Sequence, residues 1–123
     1  KAIRQTAGYR HGDLILALSY GGRAEIVDAV RSIAEKTKKG EIDPKTIDEA
    51  CISGHLYAPD VPDPDLIIRT SGENRLSNFL LWQSSYAEFV VLDALWPDFS
   101  ERHFDQALNL FRSRQRRFGK RTC

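Results

Sequence analysis

The run RTSGENRLSN at residues 69–78 places two guanidinium groups, Arg69 and Arg75, around one glycine turn and ends beside a hydroxyl, Ser77. Guanidinium forks and the backbone N–H groups at a helix start are the chemistry that holds phosphate oxygens. Each charge-assisted contact of that kind contributes about 1.5–3 kcal/mol. Gly72 permits the tight turn, and Arg75 and Ser77 stand at the entrance of the following segment. A second reading fits the same residues: Arg69 pairs with Asp65 or Glu73, and Ser77 only caps a helix. Residue chemistry alone leaves the two even.

Glu88, between Tyr86-Ala87 and an apolar run, is expected at the sheet end near the arginine loop. A carboxylate there repels a diphosphate unless a divalent cation intervenes, and Mg²⁺ is the usual bridge. The plainer alternative is a solvated glutamate at the start of a strand. Residues 112–123 carry six basic side chains and no acid. They read as a helix end that complements its own dipole, as a nucleic-acid patch, or as a tail whose Arg117 and Gly119 reach a phosphate. No interleaved aromatics support the nucleic-acid reading. His11, His55 and His103 have no metal-ligand spacing with one another or with Cys51 and Cys123, and His103 is expected as an ordinary exposed side chain. Asp60, Asp63 and Asp65 alternate with prolines, as in a turn-rich loop.

These residues need a scaffold. Residues 1–8 read as the last turns of a helix stopped by Gly8. Residues 14–20 form a continuous apolar run with one serine, the pattern of a strand buried on both faces of a parallel sheet. A helix is predicted from about 23 to 38, with Ile26, Val27, Val30, Ile33 and Ala34 as its buried stripe and Gly40 beyond its end. Asp43-Pro44 restarts a helix that fades near Gly54, and residues 57–65, with three prolines, form a loop. Residues 66–70 and 89–92 are further buried strands, with a short helix over 77–85 between them. Trp96-Pro97 breaks the chain, and Ser100 caps a last helix with Phe104, Ala107, Leu108 and Phe111 along one stripe. Helices alternating with short apolar strands predict an α/β fold: part of an open, mostly parallel sheet with helices on both faces. Ligands bind beyond the carboxyl ends of strands in such sheets, where the arginine loop lies.

The 123 residues fit one domain. A hydrophobic fraction of 41% and a charged fraction of 28% exclude a disordered chain. No apolar run approaches the ~20 residues of a membrane helix, and the opening KAIRQ has no signal-like apolar core. Eighteen Lys and Arg against 17 acids leave a net charge of +1, which argues against a bulk polyanion as partner. Cysteine usage suits a reducing, cytoplasmic setting. The chain holds no methionine and is expected to be a piece of a longer protein.

The whole of residues 64–88, PDLIIRTSGENRLSNFLLWQSSYAE, resembles the signature of the cis-prenyltransferases, the undecaprenyl and dehydrodolichyl diphosphate synthases. LWPDF at 95–99, RRFG at 116–119 and SYGGRAEI at 19–26 are similar to the same family, although bacterial members commonly carry Asn where Ser19 stands. The resemblance implies condensation of isopentenyl diphosphate onto an allylic diphosphate such as farnesyl diphosphate, with a new Z double bond. It implies Arg69, Arg75 and Ser77 as ligands of the isopentenyl diphosphate, with the Leu76 backbone beside them, and Glu88 as a ligand of Mg²⁺. Arg117 and Gly119 match an Arg-x-Gly tail that crosses a homodimer interface to the partner's diphosphate. The family's N-terminal half, with its catalytic aspartate, has no counterpart here, so residues 1–123 are expected to be the C-terminal half of one such domain. No catalytic residue is expected in this segment, which is expected to be inactive, and unstable, without its N-terminal half. A cytoplasmic protein, at most peripheral to a membrane, follows from the same resemblance. The alternative is a non-catalytic subunit that lends its tail to a catalytic chain.

Overall fold

The computed structural model describes residues 2–114, so Arg117, Gly119 and the end of the basic tail lie outside the described residues. In chain order the elements are α1 (Ala2–Thr6), α2 (Gly22–Lys38), a 3-10 turn (Pro44–Thr46), α3 (Glu49–Ser53), β1 (Leu66–Arg69), β2 (Glu88–Val91), a second 3-10 turn (Trp96–Asp98) and α4 (Glu101–Ser113). β1 and β2 pair in parallel, with Leu66 opposite Glu88 and Arg69 opposite Val91. Both strands are β-branched or aromatic in their interiors, Ile67-Ile68 and Phe89-Val90, which suits a pleated, covered surface. The core lies where β2 meets α4: Val90, Leu92 and Ala107 are buried, and Leu66, Ile68 and Phe99 pack against them. Strand alternation therefore turns Leu66, Ile68, Glu88 and Val90 towards α4, and Ile67, Arg69 and Phe89 towards the opposite face.

The strand expected over residues 14–20 is not formed. Leu14 and Leu18 are 88% and 83% exposed, and Ile15 and Leu16 are also exposed. A strand needs a neighbour to bond its backbone, and the two-stranded sheet of the described residues does not reach this segment. The helix expected over residues 77–85 is also absent. Ser77, Asn78 and Leu80 have φ of 50°, 64° and 46°, left-handed values that interrupt a right-handed i→i−4 ladder. A chain of turns makes the parallel crossover instead.

Those turns have a purpose that helical geometry would defeat. The Asn78 carbonyl accepts from Gly22 N–H at 2.8 Å and its side-chain oxygen accepts from Arg23 N–H at 2.9 Å. A distant residue thus satisfies the orphan donors at the start of α2. The approach is so close that a Cβ on Gly21 would meet Asn78 Nδ2 at 2.9 Å, and one on Gly22 would meet Leu81 Cγ at 2.9 Å. This contact also redraws the buried face of α2, which consists of Gly22, Glu25, Ala29 and Ile33. Val27 and Val30, expected in the stripe, face outward, and Ala34 is exposed, because the covering segments meet the helix on its other side. Further on, the single helix expected from Asp43 is divided. Asp43 accepts from Lys45 N–H, and a second cap, Asp48, accepts from Cys51 N–H at 2.8 Å. On α4, Ala107 is buried while Phe104 is exposed. His103 is no idle surface side chain: its Nδ1 accepts from Ser100 N–H at 3.2 Å and its ring stacks on Phe99.

Candidate functional site

β1 ends at Arg69, and the chain turns through Ser71 (φ 70°) and Gly72 (φ 68°). Two backbone bonds fasten that turn to the exit of β2: Ser71 N–H to the Ala94 carbonyl and Gly72 N–H to the Leu92 carbonyl, each 2.9 Å. A Cβ on Gly72 would meet Asp93 Oδ1 at 2.9 Å, so glycine answers both the positive φ and the contact. The pinned turn throws Glu73 and Arg75 back across the face that carries Arg69. Glu73 Oε2 accepts from Arg69 Nη2 at 2.9 Å, and Glu73 Oε1 pairs with Arg75 Nη2. The pairing of Arg69 with Glu73, one of two readings of the sequence, is therefore present. It does not use up the guanidinium, because Arg69 Nε is buried with no acceptor.

Two adjoining clefts open on this face. One, of about 310 Å³, is lined by Ile67, Asn74, Arg75, Leu76, Ala87 and Phe89 among others; the second, of about 220 Å³, adds Arg69 and Phe79. Both contain Arg75 and Leu76. The described structure thus brings Arg69, Arg75 and Leu76 to one place, a basic end on an apolar floor. Ser77 lines neither cleft and stands exposed in a turn, with no helix for it to cap. Glu88 is also apart. It sits opposite Leu66, at the far end of the strand pair from Arg69, and on the α4 side of the sheet. There Arg114 donates to Glu88 Oε2 at 2.8 Å and to the Phe89 carbonyl at 3.0 Å. The register sets Glu88 about 10 Å along the strands from Arg69, on the opposite face of the sheet from Ala87 and Phe89, which line the cleft with Arg75. Among the described residues no group of three or more His, Cys, Asp or Glu side chains could hold a metal ion.

A second polar centre braces the site, and sequence reasoning missed it. Glu25 is 2% exposed. Its carboxylate accepts from the Tyr20 hydroxyl, from Tyr57 N–H at 3.0 Å and from Gln83 Nε2 at 3.1–3.2 Å. One side chain on α2 thereby ties the segment before the helix, the loop after α3 and the turns that follow the arginines. Burial, then the hydrogen bond to Glu25, pushes the Tyr20 hydroxyl up to about 12. The Tyr57 hydroxyl is raised too, first by its hydrogen bond to Asp28. Edge contacts of Tyr20 with Tyr57 and Phe79 close the cluster. The available signal was spacing: Glu25 is in step with Ala29 and Ile33, four residues apart, on the small-residue side of α2.

Comparison with known proteins follows the same residues. Residues 1–119 match the family model described as "Putative undecaprenyl diphosphate synthase". An isoprenyl transferase of Bacillus subtilis is 55% identical over 119 residues, 97% of this chain and 46% of the relative. A trans,polycis-polyprenyl diphosphate synthase of Thermobifida fusca, specific for (2Z,6E)-farnesyl diphosphate, is 57% identical over 106 residues, 86% of this chain and 38% of the relative. Among solved structures, lavandulyl diphosphate synthase from Lavandula x intermedia, in complex with dimethylallyl diphosphate, superposes with a TM-score of 0.83 at 47% identity, covering 86% of this chain and 46% of that one. A probable undecaprenyl diphosphate synthase from Campylobacter jejuni gives 0.71 at 40% identity, covering 85% and 46%. The chain spans less than half the length of these relatives. With its parallel α/β core, its arginine loop and a match running through residues 1–119, this chain belongs to the undecaprenyl diphosphate synthase family of cis-prenyltransferases.

Proposed function

We propose that this chain is the part of a cis-prenyltransferase that receives isopentenyl diphosphate, and that prenyl transfer requires the remainder of the domain. The observation that carries the reading is the cleft in which Arg69 and Arg75 meet over an apolar floor, with a buried guanidinium N–H still without an acceptor. A diphosphate presents several oxygens to two such forks, while a five-carbon alkenyl group suits a wall of Ile67, Leu76, Phe79 and Phe89. Ser77 and the Leu76 backbone would complete the diphosphate seat after a local change in the turn at Ser77.

The reaction is a carbon–carbon condensation. The terminal alkene carbon of isopentenyl diphosphate bonds to C1 of the allylic diphosphate, whose C–O bond breaks with pyrophosphate leaving on the electron pair. A proton is then lost from C2 of the former isopentenyl unit, which restores a double bond. Arg69 and Arg75 hold the diphosphate that remains attached, so the alkene is oriented and tethered. Orientation of two reactants of this sort contributes about 7–11 kcal/mol to lowering a barrier. Mg²⁺, when bound, offsets diphosphate charge, and Glu88 would supply one ligand only with oxygen donors from outside the described residues. Arg117 and Gly119 would act at a second copy's diphosphate in a homodimer. No helix of the described residues is long and apolar enough to cross a membrane, and a lipid product would bring the enzyme to a membrane surface.

The test is complementation. The 123-residue chain is incubated with labelled isopentenyl diphosphate and farnesyl diphosphate, alone and with a separately produced N-terminal half of a relative such as the Bacillus subtilis enzyme. No transfer alone and Z-polyprenyl product on mixing are the expected results. Transfer by the chain alone would refute the division of labour. Failure of a stable, mixed complex to transfer would favour the alternative of a non-catalytic subunit.

A further inference from the structure

The geometry points to Glu73 as an internal stand-in for the diphosphate: its carboxylate occupies the guanidinium seat and is displaced when phosphate oxygens arrive. The inference rests on the diphosphate reading above and adds its regulation. One carboxylate bridges the two arginines, with Oε2 on Arg69 at 2.9 Å and Oε1 on Arg75. A bound phosphate would engage the same donors. Glu73 fills the seat incompletely, however, since the buried Nε of Arg69 is left without a partner.

The loop is built so that this one side chain can leave. Its base is fixed by the bonds from Ser71 and Gly72 to the exit of β2, whereas Glu73 and Arg75 are 38% and 64% exposed. The exposed pair with Arg75 is individually weak, while the part-buried pair with Arg69 is the one an incoming phosphate has to replace. Once a diphosphate is seated, a carboxylate left between the arginines would oppose it by like-charge repulsion. The same carboxylate lies between two guanidinium groups that would otherwise repel each other. Glu73 therefore keeps the arginines together and sets a threshold that a weakly charged anion does not cross.

The experiment is a calorimetric titration of the 123-residue chain with inorganic pyrophosphate, using wild type, Glu73→Gln, Arg75→Ala and the double variant. Circular-dichroism melting is run on each, and Glu73→Ala serves as a second charge-removing variant. Glu73→Gln is expected to bind about five- to tenfold more tightly, since the two ion pairs of the carboxylate no longer compete with the anion for the guanidinium groups. Arg75→Ala is expected to weaken binding, and the gain from Glu73→Gln is expected to shrink in the Arg75→Ala background, because the interference acts through the arginines. A structural brace predicts the opposite sign. Unchanged or weaker binding by folded Glu73→Gln and Glu73→Ala would overturn the stand-in while leaving the diphosphate site intact. Absence of binding in wild type and all variants would remove the diphosphate reading itself, and the stand-in with it.

Discussion

Replacing Glu25 by alanine probes the polar brace behind the cleft. The substitution leaves the Tyr57 N–H, the Gln83 amide and the Tyr20 hydroxyl without their shared acceptor. A buried donor left unsatisfied costs about 1–3 kcal/mol. Tyr20 is only half-buried and Tyr57 is exposed, so water relieves part of their loss. Release of the desolvated carboxylate also offsets some of the cost. The sum is about 2–4 kcal/mol, a large share of the ~5–15 kcal/mol that holds a domain together. Glu25→Gln keeps the shape and one acceptor oxygen, and should cost about 1 kcal/mol. Urea unfolding followed by circular dichroism reads both. With a denaturant slope near 1.5 kcal/mol per molar, the alanine variant's midpoint falls by about 2 M. A cost below about 0.5 kcal/mol for Glu25→Ala, or a glutamine variant worse than the alanine one, would refute the reasoning.

Three further outcomes follow from particular contacts. The Tyr20 phenol, held up to about 12 against an ordinary 10.0, favours the folded chain while neutral. That contribution is complete below about pH 10 and is lost as pH rises towards 12; tyrosinate absorbance that disappears in Tyr20→Phe should develop near pH 12, and its appearance near 10 would contradict the burial. Gly72→Ala must place a side chain at φ 68° against Asp93, and should cost about 1–3 kcal/mol while weakening pyrophosphate binding in the same calorimetric assay. Glu88→Gln breaks a partly exposed pair with Arg114. It should lower stability by about 1 kcal/mol or less and leave metal-free pyrophosphate affinity unchanged, and a clear loss of that affinity would place Glu88 in the seat after all.

The sequence was most legible where the determinants are local. The apolar stretches that became β1 and β2, the Pro-Gly punctuation and the Ser100 start of α4 are short-range signals, and they appear within a residue or two. The run RTSGENR was legible only as two equal readings, a phosphate seat and an Arg69 ion pair, and the pair with Glu73 is present in the structure. What escaped depends on distant segments. Residues 14–20 have a strand's composition but no strand beside them, and composition does not reveal a missing neighbour. Residues 77–85 have helical propensity, yet Asn78 yields it to cap α2 from 55 residues away. Glu25 carries no local signal of its burial, because the three segments that converge on it are distant in the sequence. Glu88 was displaced by register: which residue faces Arg69 depends on how β2 slides against β1, and that is a property of the crossover.

The central claim is that the Arg69–Arg75 cleft takes the diphosphate of isopentenyl diphosphate. Calorimetric titration of the 123-residue chain with isopentenyl diphosphate, with and without Mg²⁺ and with Arg75→Ala as control, tests it most directly. Saturable binding, weakened about tenfold or more by Arg75→Ala through loss of a charge-assisted contact, is the predicted result. No binding by a chain whose circular dichroism shows it folded, or binding indifferent to Arg75, would contradict it.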